Sequence, residues 1–293
     1  MGNTAIADSV VVNFKRVDVG GVLVFYREAG DPAKPTLLLL HGYPTSSHMF
    51  RNLIPLLADQ YHVIAPDLPG FGYTEVRSGY KYTFDNLAET MAGFVDAIGL
   101  KRYALYIFDY GAPVGLRLAM KYPERVIAII SQNGNAYNEG LSEGWKPIQQ
   151  YWGEPTKANR DGIRFLLLPK TTKWQYVHGT VDETMVAPES YTLDDALMSK
   201  PGQDDIQLDL FLDYQNNVKL YPTIHEYFAK HQPPLLAVWG KNDPFFLPAG
   251  ADAYRQHLPK SEVHFYDTGH FALETHVREI AKQMREFLQK NLS

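Results

Sequence analysis

The chain is 293 residues long, which at roughly 150 residues per domain fits either two domains or one large α/β domain. It contains no cysteine, which excludes thiol nucleophiles, thiolate metal sites and redox motifs together. Its 28 basic and 33 acidic side chains leave a net charge of −5, so nucleic acid is not the default partner, and its longest apolar run, Tyr103 to Phe108, is far below the roughly 20 residues that a bilayer span needs.

At the N-terminus no basic region precedes a long apolar stretch, so a cytoplasmic protein is expected. Met1-Gly2-Asn3 looks like the start of a myristoylation signal, but Ile6 stands where that signal has Ser or Thr. Val10 to Val19 and Gly21 to Glu28 alternate polar and apolar residues around Gly20-Gly21, the pattern of a β-hairpin. Short apolar runs then recur at Thr36 to His41, His62 to Asp67, Tyr103 to Phe108, Val126 to Ser131, Leu235 to Gly240 and Glu262 to Asp267. Such runs fit parallel strands buried on both faces. Between them lie helical patterns over Phe50 to Leu57, over Thr83 to Ile98 with Phe84, Leu87, Met91, Phe94, Val95 and Ile98 on one stripe, and over Val114 to Lys121. This alternation predicts an α/β fold with right-handed crossovers. It breaks between 133 and 232, a stretch too long for a loop and too aromatic for a disordered linker, which reads as a mainly helical cap inserted into a core made of residues 1–132 and 233–293. An amphipathic helix over Leu273 to Leu288 closes the chain.

The chemistry concentrates where strands end. Tyr106-Ile107-Phe108-Asp109-Tyr110-Gly111-Ala112-Pro113 reads as strand, tight turn and helix, with Gly111 permitting the turn and Pro113 in the first helical turn. Asp109 therefore stands at the carboxyl end of a central strand and the amino end of a helix, as a ligand-facing carboxylate or as a helix cap. Asp243 follows the strand ending at Gly240, and His270 follows the strand ending at Asp267. Two acids and a histidine leaving parallel strands in one direction form a nucleophile, orienting acid and base, in the chain order Asp109, Asp243, His270. In His41-Gly42-Tyr43-Pro44, Gly42 allows close backbone approach, so the backbone N–H groups of Tyr43 and Tyr110 are the candidate oxyanion donors. His41 is expected to brace its loop, and Asp67 to stabilise the Gly70-Phe71-Gly72 turn. There is no H-E-x-x-H pair, and Glu75 stands where a dinucleotide fingerprint has its third glycine, so no metal and no cofactor is expected.

His41-Gly42-Tyr43-Pro44, Asp67-Leu68-Pro69-Gly70-Phe71-Gly72, Asp109, Asp243 and Gly269-His270-Phe271 stand in the order of the α/β-hydrolase superfamily, which the chain resembles over nearly its whole length. An aspartate at the nucleophile elbow resembles epoxide hydrolases and haloalkane or fluoroacetate dehalogenases, which form an aspartyl ester with the substrate carbon and hydrolyse it with His-activated water. The chemistry has an independent reason: a serine alkylated at carbon becomes an ether, whereas a carboxylate becomes a hydrolysable ester, so Asp109 points to attack on sp³ carbon. A Ser esterase is disfavoured, since Ser131 and Ser261 lack Gly-x-Ser-x-Gly flanks.

The resemblance leaves the leaving group open. Epoxide hydrolases commonly use two cap tyrosines as acids; Tyr214 resembles the second, while the first falls at Ile148, with Tyr151 one turn later. Haloalkane dehalogenases use a Trp and an Asn as halide donors, and those positions hold Tyr110 and Tyr43. Fluoroacetate dehalogenases use arginines just after the nucleophile, where this chain has Tyr110 and Pro113, with Arg117 farther along. An epoxide hydrolase is the favoured expectation, a dehalogenase the alternative, and a non-catalytic ligand binder the third. Of the cap aromatics, including Trp145, Trp152, Trp174 and Tyr176, most are expected to pack the cap. Tyr214, Tyr151 and Gln149, with Phe245 and Phe246 after Asp243, are expected to line a pocket for a small uncharged organic substrate and water. Neither nucleic acid nor a membrane is an expected partner, and a homodimer is compatible with the sequence.

Overall fold

The computed structural model describes residues 10–292, so the Met1-Gly2-Asn3 and Ile6 positions lie outside the described residues. Strands β1 (Val12–Val19) and β2 (Val22–Ala29) pair antiparallel with Val19 opposite Val22. Gly20 and Gly21 both have positive φ, 59° and 87°, the conformation that a two-residue hairpin turn requires. There follow β3 (Thr36–Leu40), β4 (His62–Pro66), the short β5 (Glu75–Val76), helix α1 (Phe84–Ala97), β6 (Tyr103–Phe108), α2 (Gly111–Lys121) and β7 (Val126–Gln132). Helices α3 (Lys146–Gly153), α4 (Lys157–Gly162), α5 (Pro169–Val177), α6 (Pro188–Met198) and α7 (Gln203–His231) come next, without a strand among them. The chain then returns through β8 (Leu235–Gly240), α8 (Pro248–Ala253), β9 (Glu262–Tyr266) and α9 (Ala272–Asn291).

The strands form one sheet in the order β1-β2-β4-β3-β6-β7-β8-β9, with β5 beside β2. From β4 to β9 every pairing is parallel. Successive residues of the central strands serve opposite faces: Leu38, Leu40, Leu105 and Ile107 join the core shared with α1 and α2. Leu37, Leu39, Ala104, Tyr106 and Phe108 join the core beneath α9. This two-sided burial is why the strands read as unbroken apolar runs. Helix α1 buries Phe84, Leu87, Met91, Phe94 and Val95, while Thr83 caps it by accepting a hydrogen bond from the Asn86 N–H. Among the described residues, no helix is long and apolar enough to cross a membrane.

Two expectations need correction. Phe50 to Leu57 is not an α-helix but two short 3₁₀ turns, Ser47–Phe50 and Ile54–Leu56, because Pro55 lacks the N–H that a continuous helix would use. Strand β9 is only half-buried, since it closes the sheet and has a neighbour on one side.

Candidate active site

Strand β6 delivers Asp109 to the carboxyl edge of the sheet, and α2 begins two residues later. The turn's strain sits on Asp109 itself, whose φ is 48°, a conformation costing a non-glycine residue roughly 1–3 kcal/mol. Gly111 has another task than the expected turn: a Cβ there would stand 2.3 Å from the Leu40 carbonyl oxygen. At Gly115 a Cβ would stand 2.5 Å from Ile107, so both glycines let α2 lie close against the sheet.

The Asp109 Oδ1 accepts the Tyr43 N–H at 2.7 Å, and the Tyr110 N–H also bonds the Asp109 carboxylate. The two expected oxyanion donors thus converge on the carboxylate of the expected nucleophile. Gly42 makes this possible, since its Cα packs against Asp109 and a Cβ would lie 2.4 Å from the Asp109 Oδ1. The close approach read from Gly42 is therefore to the carboxylate. Burial pushes the Asp109 carboxyl up to about 6, and would push it further were it not for His270 and the two N–H donors.

His270 is buried, and its Nδ1 lies 2.7 Å from the Asp243 Oδ2. With Nδ1–H donating to that carboxylate, Nε2 carries the lone pair and faces the Asp109 Oδ2 at 3.7 Å, outside hydrogen-bond range. Burial alone would lower the His270 pKa, but the Asp243 charge and hydrogen bond, with the Asp109 charge, raise it overall. Asp243 is anchored in turn: Oδ1 accepts the N–H groups of Phe245 (2.7 Å) and Phe246 (3.1 Å), and Oδ2 accepts the Asn133 side-chain amide at 2.7 Å. Asn133 follows β7 with φ 44° and also bonds the Gly240 N–H and carbonyl, tying the ends of β7 and β8 together. It was not among the expected site residues, although its place after a strand, like that of Asp109, was the available signal.

A cavity of about 30 Å³ lies over Asp109 and His270, with room for one or two water molecules. From the core it is lined by Tyr43, Tyr110 and Phe245, and from the cap by Trp145, Ile148, Leu166, Gln175 and Phe211. An apolar groove of about 540 Å³ adjoins it, lined in part by Pro147, Phe165 and Trp174. Leu166 and Phe245 belong to both spaces and so partition them.

Of the expected pocket residues, only Phe245 lines this cavity. Tyr214 is buried behind it, in ring contact with Trp145, Phe84 and Tyr110, and its hydroxyl bonds that of Tyr221. Tyr151 is also buried, with its hydroxyl taken by Arg160 at 2.9 Å. Gln149 is exposed, because on α3 it stands about 100° around from the buried Ile148. Phe246 packs beneath His270, at a ring separation of 6.0 Å, and gives its N–H to Asp243. Ile148 and Trp145 therefore take the places expected of the tyrosines. Leu166, Gln175 and Phe211 carried no sequence signal that separated them from the rest of the cap.

The remaining motif residues are structural. His41 bridges the Gly42 carbonyl and the Leu68 N–H, each at 2.9 Å. Asp67 accepts the N–H groups of Ser47 and Tyr73. Arg117 is engaged by Asp85, Asn217 and the Pro113 carbonyl, away from the cavity.

The family model for the alpha/beta hydrolase fold matches residues 35–277. The chain belongs to the α/β-hydrolase family. An uncharacterized hydrolase of Saccharomyces cerevisiae is 49% identical over 289 residues, spanning 97% of this chain and 99% of the relative. A haloalkane dehalogenase of Psychrobacter cryohalolentis is 26% identical over 293 residues, 92% of this chain and 88% of its own. Among solved structures, the haloalkane dehalogenase DbeA from Bradyrhizobium elkani superposes with a TM-score of 0.80 at 21% identity, covering 96% of this chain and 98% of that one, a likeness of fold. This α/β-hydrolase is thus a hydrolase with dehalogenase relatives, and its elbow carries Asp109.

Proposed function

We propose that the protein hydrolyses a small uncharged epoxide to the diol through a covalent ester on Asp109. The observation that carries this reading is the division of labour between the two Asp109 oxygens: Oδ1 accepts the Tyr43 N–H, the Tyr110 N–H supports the same carboxylate, and Oδ2 faces His270. Oδ2 attacks an sp³ carbon, the bond from that carbon to the leaving oxygen breaks, and Oδ1 becomes the ester carbonyl oxygen. His270, oriented by Asp243, then removes a proton from water as it adds to the ester carbon. The negative charge develops on Oδ1, which already accepts the Tyr43 N–H, with the Tyr110 N–H on the same carboxylate, so little reorganisation is needed. Collapse of this intermediate releases the product alcohol, which takes the proton from His270.

An oxygen leaving group is supported by the side chains beside Asp109. Burial, followed by the Asp109 charge, pushes the Tyr43 and Tyr110 phenols above the ordinary tyrosine range, so both stay protonated, and the Tyr110 hydroxyl is itself sealed from the cavity. A phenol can surrender a proton to an alkoxide, and the Tyr43 hydroxyl, which donates to the Leu166 carbonyl at 2.9 Å, is the acid in this reading. The Asp109 carboxylic acid left after hydrolysis returns that proton. A neutral substrate is favoured because, among the described residues, no lysine or arginine lines the cavity.

The second reading is halide displacement by the same ester route. It is favoured by the dehalogenase relatives and by the burial of Tyr214 and Tyr151 outside the cavity. Intact-protein mass of His270→Gln, incubated with terminal epoxides and haloalkanes of distinct mass, separates the two. A whole-epoxide adduct on Asp109 supports the first reading, an adduct equal to a haloalkane less hydrogen halide supports the second, and no adduct from any probe refutes the nucleophile assignment.

A further inference from the structure

The polar groups that reach the cavity are engaged apart from Gln175; the Tyr110 hydroxyl has no partner but is sealed from solvent. The Tyr43 hydroxyl donates to Leu166, the Trp145 indole N–H to the Phe245 carbonyl, and the Tyr43 and Tyr110 N–H groups to Asp109. Ile148, Leu166, Phe211 and Phe245 contribute only carbon from their side chains. Gln175 differs. It is 3% exposed, lines the cavity, and among the described residues its amide has no hydrogen-bond partner. Its amide atoms are not among the sealed, unpartnered polar atoms, so the amide opens onto the cavity, where it can donate to or accept from a group held there. The position is also fixed. Gln175 lies on α5, whose Tyr176 stacks on Phe271 at 3.7 Å and whose Trp174 meets the ring of Phe245. These contacts clamp the helix over the loops that carry His270 and Asp243.

We propose that the side-chain amide of Gln175 donates a hydrogen bond to the departing atom when Asp109 attacks the substrate, making it a further catalytic residue. The inference rests on Asp109 being the nucleophile. In-line displacement requires the leaving group on the side of the carbon away from Oδ2. Asp109 stands at the sheet edge and Gln175 on α5, and both line the same cavity, so a group attacked by Asp109 there lies within reach of the amide. As the new C–O bond forms, the electron pair of the breaking bond moves onto oxygen or halogen, and the amide N–H meets that charge. It transfers no proton. An alkoxide is still protonated by Tyr43, whereas a halide leaves as the anion.

The test separates the two chemical steps. With His270→Gln as parent, the rate at which the adduct mass appears with propylene oxide, 1-chloropropane and 1-iodopropane measures attack alone. Adding Gln175→Leu is expected to slow attack by about 10-fold to 100-fold, as for loss of a hydrogen bond to a charged group. The loss should be larger for the chloride than for the iodide, the better leaving group, and Gln175→Asn should recover part of it. In the protein with His270 intact, Gln175→Leu should lower the fraction carrying ester at steady state. Attack rates within threefold of the parent, an equal loss for chloride and iodide, or accumulation of ester would each overturn the proposal; the last would mean that Gln175 serves the water step. If the His270→Gln parent acquires no adduct from any probe, the Asp109 reading itself fails.

Discussion

Replacing Gly42 by alanine tests whether reactivity depends on where the Asp109 carboxylate is held. A Cβ at position 42 would lie 2.4 Å from the Asp109 Cβ, 2.4 Å from its Oδ1 and 2.7 Å from the Tyr110 nitrogen. Ordinary contact begins near 3.4 Å, so either the carboxylate or the Tyr43–Tyr110 backbone must move by about 1 Å. Neither can move freely, because Asp109 is fixed by β6 on one side and α2 on the other. A 1 Å misplacement of a reacting group costs about 100-fold in rate. Overpacking a close-packed site also costs about 1–3 kcal/mol of stability. The assay is the rate of adduct formation in Gly42→Ala/His270→Gln against His270→Gln, with the thermal midpoint recorded beside it. Gly153→Ala is the control, since nothing lies within 4 Å of a Cβ there. A folded Gly42→Ala variant that is labelled within threefold of its parent would refute the claim that attack proceeds from this carboxylate position.

Other outcomes follow from the same geometry. Asp109→Asn should prevent the adduct while stabilising the fold: a carboxyl raised from 3.8 to about 6 carries a penalty of about 3 kcal/mol once ionised. For an acid with a raised folded pKa that penalty is complete above the folded value and absent below the unfolded one, so the gain in melting temperature should be large at pH 7.5 and vanish near pH 3.5. A gain independent of pH would sink the assignment. For the same reason, single-turnover attack should rise with pH through about 6, and the midpoint should move upward in His270→Gln, which lacks the charge that favours the carboxylate. Asn133→Gly keeps the left-handed backbone but removes the amide from Asp243; with one hydrogen bond worth about 1 kcal/mol, ester hydrolysis should slow several-fold and ester should accumulate. Leu166→Ala joins the cavity to the outer groove, so kcat/KM should rise for longer alkyl chains relative to short ones; an unchanged chain-length profile would mean substrate does not enter past Leu166.

The core strands and the grouping of Asp109, Asp243 and His270 at one sheet edge were legible because their signals are local and independent of packing detail. Parallel strands buried on both faces must be apolar throughout, and the residue following such a strand emerges at the sheet edge whatever covers it. Asp109 and Asp243 follow strands of this kind and His270 follows the half-buried β9, so their places after parallel strands brought them together. Gly42 was legible as a close approach but not its object, because a glycine signals missing volume without naming the neighbour that fills it. Asn133 escaped because an asparagine after a strand serves equally as an ordinary left-handed turn.

The cap was legible only as a class of structure. Whether a helical residue reaches a cavity depends on the rotation of its helix, and that rotation is set by contacts distant in sequence. On α3 the inward positions are Ile148 and Tyr151, but Arg160 from the neighbouring α4 takes the Tyr151 hydroxyl. On α7, Tyr214 is turned inward, yet Tyr221 two turns along the same helix takes its hydroxyl and Trp145 covers its ring. Tyr214 and Tyr151 therefore back the wall, and Trp145, Ile148, Leu166, Gln175 and Phe211 form its inner surface. This arrangement fits the chemistry argued for Asp109: a core carboxylate placed by the backbone is common to the reaction, while the cap decides which small electrophile is presented to it and what meets the departing atom.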